Sequence, residues 1–78
     1  MQSSRLSELI ASTLRLRASE IDDSLDMEST STWDSLSHME LIAALEDDFA
    51  IELSADDIVA MRSVAEIKRV LAAHGVAL

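Results

Sequence analysis

The 78-residue chain contains no cysteine, which excludes a disulfide framework and a thiolate zinc site as supports for its fold. Proline is absent, glycine occurs once, and the aromatics amount to one Trp and one Phe, so the core must be aliphatic. No apolar run approaches the roughly 20 residues that a membrane-crossing helix needs. The opening MQSSRLSE lacks the cationic start and apolar centre of a signal peptide. A soluble, cytoplasmic helical protein is the expectation. A chain this short makes one domain, residues 1–78, with a modest core.

Positive charge is scarce and confined to the ends. Between Ala18 and Met61 there is no Lys or Arg, while Asp and Glu recur throughout, and the net charge is −9. Such a field repels nucleic acid and anionic membranes and attracts proteins with basic patches. It also makes the fold self-repelling.

What is present is helix-forming, and residues 33–49, WDSLSHMELIAALEDDF, organise the rest. At about 100° per residue, His38, Leu41, Ile42, Leu45 and Phe49 share one side, which can bury the helix. The other side carries Leu36, Met39 and Ala43 interleaved with Glu40 and Asp47. A helix that only had to pack would keep that face purely polar. A narrow apolar stripe bordered by carboxylates is a surface for another protein.

Around this helix the spacing of Leu6, Leu9, Ile10, Thr13 and Leu14 predicts a first helix over about 4–17, capped by Ser3 or Ser4, with Arg15 and Arg17 at its C-terminal end. Residues 18–33 are polar and too long for an ordinary connection. Ile21, Leu25, Met27 and Trp33 are expected to pin this stretch into an ordered loop. Ile51 and Leu53 fill the core from a short link. Ser54 and Asp57 form a capping box that opens a short helix through Ile58 to Met61. Ser63 and Glu66 form a full one, opening a last helix from Val64 to about His74 that buries Val64, Ile67, Val70 and Leu71. Gly75 is the left-handed stop. The fold class is therefore all-α: a small antiparallel four-helix bundle with three long helices, a short third helix and a long first loop.

Ser35 is the residue with chemical interest. Its local role is that of an N-cap. Its hydroxyl also stands at a helix N-terminus, where unpaired N–H groups and the helix dipole favour a phosphodiester. His38, on the buried side, is expected to be a hydrogen-bonded core or boundary histidine, and His74 a dipole partner at the end of the last helix.

Asp34-Ser35-Leu36, followed by Met39-Glu40-Leu41, Ala44-Leu45-Glu46 and Phe49, resembles the attachment site and second helix of acyl carrier proteins. The resemblance runs across nearly the whole chain, including the long first loop, the short third helix and the opening of the fourth at Val64. It implies that Ser35, flanked by Asp34 and Leu36, receives 4′-phosphopantetheine from coenzyme A through a separate, magnesium-dependent phosphopantetheinyl transferase. The arm's thiol then holds acyl cargo as a thioester for acyl-loading and acyl-transferring enzymes with basic docking patches. A carrier of this kind needs no catalytic residues and no metal site of its own. Leu36, Met39, Glu40, Ala43 and Asp47 match the face on which partners dock, and Trp33 is a further candidate there. The resemblance further implies a monomeric, free-standing carrier, since the chain begins with Met1 and ends soon after the last helix.

The chain departs from the family pattern in two places. Trp33 stands where Gly is common, and Ser37-His38 where an acidic and then a small polar residue are common. Both point toward a dedicated lipid, polyketide or related pathway rather than housekeeping fatty acid biosynthesis. Asp34 resembles acyl carriers more than peptidyl carriers, which often have His there. An unmodified acidic adaptor and an aminoacyl or peptidyl carrier are the alternatives.

Two other classes fail on their own motifs. A serine hydrolase would need the G-x-S-x-G elbow, which the chain lacks. An EF-hand reading of Asp22-x-Ser24-x-Asp26 puts Met27 at the required Gly and Trp33 at the bidentate Glu. From the lopsided charge, added NaCl is expected to raise the thermal unfolding midpoint, followed by circular dichroism. A midpoint that fell with salt would contradict self-repulsion as a main cost of folding.

Overall fold

The computed structural model describes residues 2–77. Four helices follow one another: α1 over Gln2–Leu14, α2 over Ser35–Phe49, α3 over Ala55–Ala60 and α4 over Val64–Ala73, with one 3-10 turn at Ala18–Glu20. The all-α bundle with a short third helix is as expected. α1 packs against α2, and α3 against α4. The core draws Leu6, Ile10 and Leu14 from α1, Leu41, Ile42 and Leu45 from α2, Met61 from the end of α3, and Val64, Ile67, Val70 and Leu71 from α4. Each such side chain contributes roughly 1.5–3 kcal/mol by leaving water, so the aliphatic stripes hold the bundle together.

The long first loop is ordered for two reasons. Ile21, Leu25 and Met27 are half-buried against the core, and Trp33 is 1% exposed. Carboxylates also hold the turns: Asp22 accepts from the backbone N–H and hydroxyl of Ser24, and Asp26 accepts from those of Ser29. An isolated antiparallel bridge, Asp26 with Ser63, ties the middle of the loop to the start of α4. Its hydrogen bonds run from Met27 N–H to the Arg62 carbonyl (2.9 Å) and from Val64 N–H to the Leu25 carbonyl (3.0 Å). The loop is thereby part of the bundle wall.

Several helix ends differ from the sequence-based expectation. α1 already includes Ser3 and Ser4, so neither caps it, and it stops at Leu14 rather than Arg17. Arg15 adopts a left-handed φ of 59°, and the Leu16 N–H returns to the Ala11 carbonyl at 2.9 Å, closing the helix as a Schellman motif without glycine. α2 ends the same way on Ala50 (φ 54°), with Ile51 N–H bonded to the Glu46 carbonyl. Only α4 uses glycine, Gly75 at φ 82°.

The Ser54–Asp57 capping box is reciprocal, as expected. At α4 only half of the box forms. Ser63 accepts from the Glu66 N–H (3.1 Å), but the Glu66 carboxylate turns to the Arg69 guanidinium (2.7 Å). His74 does more than face a helix dipole: its Nε2 lies 2.9 Å from Asp57 Oδ2, linking α3 to the end of α4.

A left-handed alanine costs roughly 1–2 kcal/mol, and the extra unfolded-state freedom of glycine offsets only about 0.4–1 kcal/mol of that. Ala50→Gly is therefore expected to stabilise the fold by about 0.5–1 kcal/mol, read as a higher urea midpoint at unchanged slope. Ala43→Gly, in the middle of α2, is expected to do the opposite by about 0.5–1 kcal/mol.

Candidate functional site

Asp34, not Ser35, is the N-cap of α2. Its backbone is extended (φ −102°, ψ −173°), and Oδ1 accepts the Ser37 N–H at 2.9 Å. Its carbonyl accepts the first helical bond, from His38 N–H at 2.8 Å. Ser35 thus becomes the first helical residue, and its side chain is exposed. The Asp in front of the serine supplies a better-placed cap oxygen, because a cap bonds the N–H three positions on and Ser37 is itself buried.

This leaves the Ser35 hydroxyl free of any hydrogen bond among the described residues. The first-turn N–H groups of Ser35 and Leu36 also have no helical partner by construction. An exposed, unengaged hydroxyl beside two outward N–H donors at a positive helix end fits a covalently attached phosphodiester.

The Asp34 carboxyl is held below the usual carboxylate range. The Ser37 backbone N–H is the main cause and the Ser37 hydroxyl the second, with a smaller attraction from Arg15. Asp34 therefore stays ionised and already bonded at neutral pH, which makes it a poor proton acceptor for its neighbour.

From Ser35 the helix carries both faces. On the open one, Leu36 is 70% and Met39 53% exposed, with Glu40, Ala43 and Asp47 exposed beside them. Glu40 and Asp47 have no ion-pair partner among the described residues. On the closed face His38, Leu41, Ile42 and Leu45 are buried. Phe49 is half-buried, with the Arg5 guanidinium 5.3 Å from its ring centroid. Trp33, a candidate for the open face, is not there. Its indole points into the core and its N–H donates to His38 Nδ1 at 3.0 Å. Burial takes it away from any partner.

Two contributors escaped the sequence reading. Glu46 Oε2 accepts the Leu53 N–H at 2.8 Å and so fixes the link from α2 to α3. Val59 of α3 is a large apolar residue left 68% exposed.

An open cleft of about 710 Å³ lies at the other end of α2, lined by Arg5, Phe49, Ile51, His74 and Val76 among others. Ser35 is about 21 Å away along the helix and does not line it. The hydroxyl sits on open surface.

The chain matches the family model described as phosphopantetheine attachment site over residues 4–71, and it belongs to that family. Members carry covalently attached 4′-phosphopantetheine, so the protein is a phosphopantetheine-carrying carrier protein. No individual curated protein matches the chain. Family carriers interact in general with a phosphopantetheinyl transferase and with acyl-handling enzymes, and are generally non-catalytic. Among the described residues no helix is long and apolar enough to cross a membrane.

The capping role of Asp34 gives a pH signature. A carboxyl whose folded-state value lies below its ordinary 3.8 contributes stability that is complete above that ordinary value and is lost as pH falls through the folded one. Asp34→Asn keeps an acceptor at the cap but does not titrate. The difference in urea midpoint between wild type and Asp34→Asn is expected to stay constant above about pH 5, then to shift against the wild type on further acidification. A difference that did not change down to about pH 2 would remove the charge from the cap.

Proposed function

We propose that Ser35 is the attachment point and that the carried groups are acyl intermediates of a specialised lipid, polyketide or related pathway. The observation that carries this reading is the exposed, unbonded Ser35 hydroxyl at the first residue of α2, inside the span matched by the family. In the modification step Ser35 Oγ forms a bond to the pantetheine-bearing phosphorus of coenzyme A. The bond from that phosphorus to the bridging pyrophosphate oxygen breaks, and adenosine 3′,5′-bisphosphate leaves. The serine proton passes to a base of the transferase, because Asp34 is ionised, bonded to Ser37 and held at low basicity.

Once attached, the arm supplies a terminal thiol that carries cargo as a thioester. The protein's own residues then do two things. Glu40 and Asp47 draw basic enzyme surfaces to α2, which raises the encounter rate more than the lifetime of the complex. Leu36 and Met39 give the encounter an apolar register, with Ala43 small enough to let a partner approach. A small apolar stripe inside a repelling acidic field suits contacts that form and break quickly. A shuttle needs that. Both faces of α2 would serve an unmodified adaptor equally well, but membership of the family favours the modified carrier.

Incubation with coenzyme A, magnesium and a broad-specificity transferase is expected to add one phosphopantetheinyl group to the intact mass, and Ser35→Ala is expected to add none. Glu40→Lys and Asp47→Lys are expected to slow loading and to weaken its dependence on salt. A mass gain that survives Ser35→Ala would move the attachment elsewhere and sink the assignment.

A further inference from the structure

The six residues from Trp33 to His38 form an unusual unit. Trp33, Ser37 and His38 are 1%, 3% and 7% exposed, whereas the three residues between them, Asp34, Ser35 and Leu36, face solvent. The projecting tripeptide therefore has both feet in the core. The feet are joined to each other by the hydrogen bond from Trp33 Nε1 to His38 Nδ1, 3.0 Å long.

That bond determines the state of the histidine. An indole N–H can only donate, so Nδ1 must accept and carries no proton. The remaining nitrogen, Nε2, then bears the hydrogen and donates to the Ile58 carbonyl at 2.9 Å. Ile58 needs this donor. In a longer helix its carbonyl would take the Arg62 N–H, but α3 ends at Ala60 and Arg62 N–H turns to the Ala60 carbonyl instead. One neutral imidazole thus satisfies a buried indole and the orphan carbonyl of α3, and both of its nitrogens are used.

Beyond the burial of the Trp33 ring in the core, the chain entering α2 has few other restraints. Trp33 lies outside the helix, where no i→i+4 bond acts, and its backbone N–H reaches only to the Thr30 carbonyl (3.0 Å) within its own turn. The Asp34 cap fixes the helical side of Ser35. The Trp33–His38 bond fixes the incoming side.

We propose that His38 is a positioning residue for the modification of Ser35, acting through Trp33 to set the direction in which the Ser35 hydroxyl leaves the surface. This rests on Ser35 being the attachment point. His38 touches neither coenzyme A nor the reacting atoms. Its effect belongs in the rate of Oγ attack on the pantetheine-bearing phosphorus, with the bonds made and broken as described above. The docking face of α2 is unaltered by a change at a buried position on the opposite side. The cost of lost positioning should therefore fall on kcat and leave KM unchanged.

The test is transferase kinetics on the full chain, with the wild type, Ser35→Ala, His38→Leu, His38→Asn and Trp33→Phe as protein substrates. His38→Asn puts an acceptor oxygen close to where Nδ1 stands; His38→Leu fills the space without one. Expected are a kcat lowered about tenfold for His38→Leu, with KM within about twofold, and recovery to within about threefold of wild type for His38→Asn. Trp33→Phe, which lacks the indole N–H but leaves His38 in place, should show the same kcat loss as His38→Leu. The emission of the single Trp should shift in His38→Leu and return toward the wild-type position in His38→Asn.

A merely destabilised variant would instead raise the apparent KM by lowering the folded fraction. Folded His38→Leu that loads at the wild-type kcat overturns the inference, and so does His38→Asn that loads no faster than His38→Leu. If His38→Leu does not fold, Trp33→Phe decides by the same kcat criterion. Wild type that gains no mass overturns the attachment reading itself and this inference with it; loading of wild type but not of Ser35→Ala isolates the fate of His38.

Discussion

Everything in this bundle depends on α2 giving half of its circumference to the core while the other half stays open. Leu41 and Leu45 lose all contact with water, and Ile42 nearly so, against side chains from α1 and α4. That burial anchors the helix along its length, so Leu36, Met39, Glu40, Ala43 and Asp47 can remain exposed without loosening it. The open stripe is stable because it is narrow. A broader apolar face would bury itself in another copy or in the fold, and a wholly polar one would give a partner no register.

The acidity of the chain divides into two kinds of work. Asp22, Asp26, Asp34, Glu46 and Asp57 each accept backbone N–H groups where the chain turns or a helix begins. The carboxyls of Asp22, Asp26 and Asp57 are held below their ordinary range first by the Ser24 hydroxyl, the Ser29 hydroxyl and His74 and then by these backbone bonds, while for Asp34 the backbone bond leads. Glu40 and Asp47 do nothing of the sort and face solvent. A single net charge of −9 therefore hides a structural set, spent on turns, and a solvent-facing set on α2 that gives its open face an acidic field. Two of the six Lys and Arg residues hold distant parts of the chain together: Arg5 joins the start of α1 to Asp48, and Lys68 joins α4 to Asp23 in the first loop. Exposed pairs of this kind contribute little individually, so they leave the overall field acidic.

Much of the site was legible because it is local. The phase of α2, its buried and open sides, the capping box at Ser54 and the stop at Gly75 all depend on residues no more than four apart. The failures came where a second partner competed. Glu66 fits the box pattern opposite Ser63, but Arg69, one turn on, offers its carboxylate a charged partner instead. Ser35 has the composition of an N-cap, but Asp34 before it reaches the Ser37 N–H first. Trp33, next to Ser35, was open to two readings, a pin for the loop and an aromatic on the open face; the core took it, because His38 gives its N–H an acceptor. Once its polar atom is satisfied, nothing opposes burying a tryptophan.

The amino-acid order by itself therefore determined the four α-helices, though not the 3-10 turn at Ala18–Glu20, together with the two-sided character of α2, the serine at its head and the acidic field around it. Each follows from periodicity, capping chemistry or charge, which need no knowledge of distant residues. Tertiary structure alone decided where α1 and α2 stop, since Arg15 and Ala50 take left-handed turns that no glycine announces. It also decided which way Trp33 faces and which nitrogen of His38 carries the proton. The last of these is set by the Trp33 indole N–H at Nδ1, and it suits the Ile58 carbonyl, twenty residues along the chain from His38, which only the folded chain brings within 2.9 Å of Nε2.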